Sequence, residues 1–207
     1  FDLGGFRFSF ELTTHNATSI ESSAFHAVGM LTEWEELQYL GSLMKPERAR
    51  HVAEVGVLIG NHTACFLQAF KPDRLTLVDA DPGNRPFIES TVKRNTAGDT
   101  QPRVDIHLAF VGAAAGTARF AGTDVSRAPL SDLVKGSVDL LKIDVDGGEV
   151  ALLEGAASVI ETSRPLVMIE TTLATNDAVA AWFAARRYKV KRTFDHGGYR
   201  NVVLGAE

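Results

Sequence analysis

The feature that most constrains this chain is a glycine turn set between an apolar strand and a helix. His51 to Val57 reads as an apolar run broken at Gly56, and Gly60 leads into a helix-patterned stretch from Asn61 to Phe70. The alternation then repeats. Arg74 to Asp79, Val104 to Val111, Val138 to Asp144 and Leu166 to Glu170 are further strands, while Asn84 to Thr96, Glu149 to Glu161 and Asp177 to Arg187 are helical in spacing. Strands that are apolar throughout are buried on both faces, so a mostly parallel sheet covered by helices on both sides is expected. Tyr188 to Phe194 and Tyr199 to Leu204 flank Asp195-His-Gly-Gly198, a hairpin signal that makes the last strand antiparallel to its neighbour.

The region before His51 follows different rules. Gly5 to Leu12 alternates apolar and polar residues and reads as a short strand or arm; Thr13 to Ser23 is polar and reads as loop. Leu31 to Met44 has helical spacing, ended by Lys45-Pro46. Gly112 to Gly116 is expected to be a small-residue turn opening a loop over 113–136. A chain of 207 residues makes one sizeable domain. Its net charge of −5 argues against a broad nucleic-acid footprint, and the basic cluster from Arg186 to Arg192, with Tyr188 its one aromatic, reads as a solvated helix end and edge strand. No apolar run approaches the roughly 18 residues of a membrane helix. A single cysteine, Cys65, precludes an intrachain disulfide and fits a cytoplasmic location, as does the lack of a leader pattern.

Three motifs carry chemistry. In Glu54-Val-Gly56-Val-Leu-Ile-Gly60-Asn61-His62-Thr63, Gly56 leaves room for a ligand at the backbone and Gly60 permits tight entry into the helix, whose amides then face the ligand. The alternative is a plain tight turn. The spacing is neither the dinucleotide fingerprint nor a phosphate loop, which favours a ligand with ribose and an amino-acid tail over a pyrophosphate. Asp79-Ala80-Asp81-Pro82 follows one strand–helix–strand unit later. A carboxylate at Asp79 can accept ribose hydroxyls; helix capping is the alternative and suits Asp81 better. In Lys142-Ile-Asp144-Val-Asp146-Gly-Gly-Glu149, a central strand ends in three acids. Asp146 and Glu149 read equally as helix-start acids, and alternation places Lys142 on the face of Asp144, where the two can neutralise each other.

These segments resemble the FkbM-type methyltransferases. The family's acid-x-Gly-x-x-x-Gly-Asn-His-Thr loop matches Glu54 to Thr63, and its acid before x-x-Pro matches Asp79 and Pro82. Its Asp-Leu-Leu-Lys-Ile-Asp segment and following helix match Asp139 to Glu149 and Leu153 to Ala156, and its Arg-Pro-x-x-x-x-Glu matches Arg164 to Glu170. Asp146 stands where the family has Glu, and Gly148 where it has Ala. The resemblance implies a Rossmann-like class I methyltransferase with a seven-stranded sheet. It places S-adenosylmethionine against Glu54, Gly56, Gly60, Asn61, His62, Thr63, Asp79, Ala80 and Asp144. It further implies O-methylation of a hydroxyl on a sugar or secondary-metabolite small molecule, with residues 46–207 as the methyltransferase domain and 1–45 as an arm and helix on the substrate side. A homo-oligomer is compatible with it. A non-catalytic Rossmann-like ligand-binding protein and an N-methyltransferase are the alternatives.

A hydroxyl must lose a proton as it attacks the sulfonium methyl, so a base or a metal is expected beside it. Asp144 is the leading catalytic candidate, with His62, His26 and His196 behind it. A magnesium ion held by Asp144 with Asp146 or Glu170 is the alternative, ranked below a metal-free base.

Overall fold

The computed structural model describes residues 1–44, 49–96, 101–145 and 148–207. Its main sheet has seven strands: β1 (His51–Val55), β2 (Arg74–Asp79), β3 (Arg103–Leu108), β4 (Leu140–Ile143), β5 (Leu166–Thr172), β6 (Tyr188–Asp195) and β7 (Tyr199–Ala206), in the order β6-β7-β5-β4-β1-β2-β3. The pairs from β5 to β3 are parallel. β7 runs antiparallel between β5 and β6, as the Asp195–Gly198 turn requires. The strand order reverses at β1 and β4, which opens a crevice at their carboxyl ends.

The helices are α1 (Ala17–Ala27), α2 (Trp34–Leu43), α3 (Asn61–Cys65), α4 (Arg85–Asn95), α5 (Leu130–Leu133), α6 (Glu149–Ser163) and α7 (Asn176–Ala184); α3 passes into a π-helical turn at Phe66–Phe70. The sheet separates two cores by simple alternation along each strand. Val52, Leu75, Leu77 and Leu140 pack toward Leu37 and Leu40 of α2 and toward Phe66. Ala53, Val55, Leu141 and Ile143 pack toward Leu152 and Ile160 of α6 and Phe183 of α7. Each fully buried aliphatic side chain contributes about 1.5–3 kcal/mol. Two charged groups sit inside this apolar sheet: Glu54 of β1 lies directly beside Lys142 of β4, and both are 0% exposed.

Two expectations are corrected. Thr13 to Ser23 is not a loop throughout, because Asn16 Oδ1 accepts the Ser19 amide at 2.8 Å and starts α1. The buried stripe of α1 is Ser19, Ser22, Ser23 and His26, a helical repeat written in polar residues. Gly5 to Leu12 is the short strand and arm expected: Phe6–Arg7 pairs with Asp2–Leu3, and Phe8 is buried under Trp34. Residues 113–136 are not simply loop: Gly116–Phe120 and Thr123–Ala128 form an antiparallel hairpin, followed by α5. The boundary drawn at 45/46 and the Lys45-Pro46 helix stop lie outside the described residues, but Phe8, Leu31, Leu37 and Leu40 share one core with Leu75 and Leu77. No helix among the described residues is long and apolar enough to cross a membrane.

Candidate active site

A cavity of about 560 Å³ opens at the carboxyl edge of β1, β2 and β4. Its floor is the Gly56 turn, Asp79 and Ala80 after β2, and Asp144 after β4; Ala109 to Val111 form one wall. Asn16, Thr18, Glu21 and Ser22 of the α1 region, with Thr32 and Glu33, close it from the amino-terminal side, and Phe120 and Ala121 reach in from the hairpin. Glu170 and Tyr199 complete the far end.

Of the residues singled out in the sequence, Gly56, Asn61, His62, Asp79, Ala80 and Asp144 line this cavity. Glu54, Gly60 and Thr63 lie behind it. Thr63 Oγ1 donates to Glu54 Oε2 at 2.5 Å, and both residues are 0% exposed. Burial pushes the Glu54 carboxyl up to about 7, against the pull of His62, Thr63 and Lys142. Gly60 adopts φ +88°, and a Cβ there would meet Thr91 Cγ2 at 2.8 Å, so this glycine seats α3 against α4.

Gly56 departs from its expected role. Its φ is +83°, and a Cβ would stand 1.6 Å from the backbone oxygen of Asp144. The missing side chain lets the ends of β1 and β4 touch, rather than leaving space for a ligand. Gly56 donates its amide to Val78 O, and Val55 O accepts from Asp144 N, each at 2.9 Å. Asp79 is more heavily engaged than the sequence suggests. Oδ2 accepts the amides of Val57 at 3.0 Å and Leu58 at 2.7 Å, and Oδ1 accepts the amide of Asp81 at 2.8 Å and the Asn84 side chain at 3.1 Å. These fill the roughly four acceptor directions of a carboxylate. Asn61 braces the amino-terminal segment: its Oδ1 lies 3.1 Å from His26 Nε2, and its Nδ2 donates to Thr32 O at 3.1 Å.

Lys142 donates to Asp144 Oδ2 at 3.0 Å, so the neutralising pair read from alternation is present. Burial of Lys142 favours its neutral form, but Asp144, Glu33 and Glu170 outweigh it and hold the ammonium protonated. Glu33 was not anticipated. It precedes α2 in a left-handed backbone conformation, φ 58° and ψ 33°, and its side chain is 6% exposed. Burial raises its pKa, but Lys142 and His62 more than reverse this and hold the carboxyl well below the usual range. In sequence Glu33 looks like any acid at a helix start. Its only flag is tertiary: it faces Lys142 and His62 across the cavity. His26 and His196 stand apart from the cavity lining; His196 Nε2 lies 2.6 Å from buried Glu36 and stacks on Tyr199. Asp146 lies outside the described residues.

Residues 47–190 match the family described as the methyltransferase FkbM domain. No curated protein matches the chain. Among solved structures, a methyltransferase FkbM from Methylobacillus flagellatus KT superposes with a TM-score of 0.67 at 18% identity, over 90% of this chain. The chain spans 53% of that protein, about half its length. A ribosomal-protein methylase from Lactobacillus delbrueckii gives 0.56 at 14% identity, over 84% of this chain and 78% of its own. Magnesium protoporphyrin IX methyltransferase from Synechocystis, solved with bound SAM, gives 0.55 at 10% identity, over 90% and 84%. At these identities the superpositions show a common class I methyltransferase fold.

Proposed function

The chain belongs to the FkbM methyltransferase family, and from that premise we propose that it transfers the methyl group of S-adenosylmethionine to a hydroxyl of a small molecule. The observation that carries this reading is the single cavity that joins the Gly56 turn, Asp79 and Asp144 at the switch point of the sheet. The donor fits the residues present. Ala80 and the Ala109–Val111 wall are small or apolar, as a purine needs, and the acids nearby complement a sulfonium and an ammonium. Asp79 would hold the ribose hydroxyls, which would share or exchange the positions the Val57 and Leu58 amides occupy at Oδ2.

S-adenosylmethionine supplies an already activated methyl group, and the protein's task is positioning and proton removal. The acceptor oxygen bonds to the methyl carbon, the sulfur keeps the broken bond's electron pair as S-adenosylhomocysteine, and the hydroxyl proton leaves toward Asp144 or His62. The cavity lining carries Glu21, Glu33, Asp79, Asp81, Asp144 and Glu170 but no Lys or Arg among the described residues. Such a lining repels phosphorylated or carboxylated acceptors and suits a neutral polyol. It equally suits an amine, which is the ground for N-methylation as the second reading. Methyl-labelled donor offered against panels of neutral polyols, amines and sugar phosphates tests both. Transfer to polyols, cut by about 10²–10⁴-fold in Asp144→Asn, is expected; transfer confined to phosphorylated acceptors contradicts it.

A further inference from the structure

We propose that Glu33, His62 and Asp144 form a binding site for one borderline divalent cation, of the manganese or zinc kind, at the acceptor end of the cavity. A ligand atom from each of the three lies within 4.8 Å of the others. Two ligands opposite each other on an ion at about 2.1 Å stand about 4.2 Å apart, so the trio is close to coordinating distance as it is. The residues arrive from three separate elements: Glu33 from the start of α2, His62 from the first turn of α3, and Asp144 from the end of β4.

Two observations beyond proximity point to an ion. The first concerns the buried Glu33–His62 pair. Glu33 Oε2 and His62 Nε2 face each other 2.8 Å apart as a buried pair, yet neither atom has a partner in good hydrogen-bond geometry. Their side chains are 6% and 7% exposed, so water does not relieve them. Buried polar atoms left this way are destabilising, and a cation accepting both lone pairs removes the deficit. The second is the group behind the ring. His62 Nδ1 faces Glu54 Oε1 at 3.8 Å, and Glu54 is fully buried with its other oxygen fixed by Thr63. A carboxylate behind a histidine is the usual support of a metal-bound imidazole, and Glu54 stands on that side of the ring, one short movement from hydrogen-bond distance.

Charge agrees. Glu33, Asp144 and Glu170 against Lys142 leave two formal negative charges at this end of the cavity, which one divalent ion balances. The donor set selects the ion class. An imidazole with two carboxylates and no thiolate suits manganese, iron(II), cobalt or zinc; magnesium and calcium prefer oxygen alone. This ligand set differs from the one expected from sequence, Asp144 with Asp146 or Glu170. Three protein ligands leave positions open, and a hydroxyl oxygen in one of them has its pKa lowered beside the methyl donor. That role rests on the methyl-transfer reading; the binding of the ion does not.

The test is a manganese titration of the full chain followed by electron paramagnetic resonance, with and without S-adenosylhomocysteine. One bound Mn²⁺ per chain is expected, with a nitrogen coupling from His62 in the pulsed spectrum. Glu33→Gln and His62→Gln should abolish saturable binding, and Glu54→Gln should weaken it about 10–100-fold. No bound ion in the wild type, a bound ion without nitrogen coupling, or unchanged binding in Glu33→Gln overturns the site; the wild-type spectrum decides even if a variant fails to fold. Turnover indifferent to chelation, with no bound Mn²⁺, makes Glu33–His62 a metal-free proton relay instead. S-adenosylhomocysteine bound without an ion sinks only the metal site, and an ion bound without it sinks only the methyltransferase reading.

Discussion

Gly56→Ala is the sharpest probe of how this site is built. The residue sits at φ +83°, so any L side chain incurs the left-handed penalty of about 1–2 kcal/mol. Its Cβ would also fall 1.6 Å from Asp144 O, a backbone atom that no rotamer can move aside. Relieving the overlap requires the ends of β1 and β4 to separate, which adds an overpacking cost of about 1–3 kcal/mol. It also strains the Asp144-to-Val55 bond. The total is about 2–5 kcal/mol. At about 2–4 °C per kcal/mol for a chain of this size, the midpoint should fall by about 4–20 °C. Gly136→Ala is the matched control. Its φ is +84° and nothing lies within 4 Å of its Cβ, so only the backbone penalty applies. Urea and thermal unfolding of both variants should rank Gly56→Ala lower by at least about 1 kcal/mol. Equal stability of the two refutes the claim that this glycine exists for contact between the strand ends.

Two further outcomes are expected. Cys65, 1% exposed, has its thiol pushed up to about 12 by burial and by Glu54, so thiol reagents at pH 8 should label it only at the rate of unfolding; rapid labelling of the native chain contradicts this. His26 has its pKa lowered by burial, against the hydrogen bond its Nε2 donates to Asn61 Oδ1. A lowered histidine pKa means the folded state resists protonation, so its stabilisation is intact above about pH 6.5 and fades as pH falls. Hydrogen exchange of α1, corrected for intrinsic rates, should therefore quicken between pH 7 and pH 5, and His26→Gln should flatten the trend; equal slopes in the two proteins refute it.

Much of the architecture was legible because it is written in apolar periodicity. β1, β2, β4 and β5 are mostly aliphatic, interrupted by single polar residues such as Glu54 and Lys142, and the Asp195–Gly198 turn announces the antiparallel end. What escaped was built from other materials. α1 buries serines and a histidine, so a search for an apolar stripe passes over it. The hairpin over 116–128 is exposed at most positions and shows no alternation of burial. The site was half legible. The positions of Asp79 and Asp144 follow from strand ends, and a charged residue amid a buried strand marks Glu54 and Lys142 as special. Glu33 could not be found this way, because its importance comes from tertiary contact with His62 and Lys142, some 30 and 110 residues away. Gly56 was found for a reason the structure replaces: the neighbour it accommodates is the Asp144 backbone.

The central claim is that this crevice takes the methyl donor, and calorimetric titration with S-adenosylhomocysteine tests it most directly. The account predicts saturable binding of one molecule per chain, with a negative heat-capacity change from apolar burial, and a marked loss of affinity in Asp79→Asn. No binding up to about 1 mM, a limit of only about 4 kcal/mol, or equal affinity in Asp79→Asn, contradicts it.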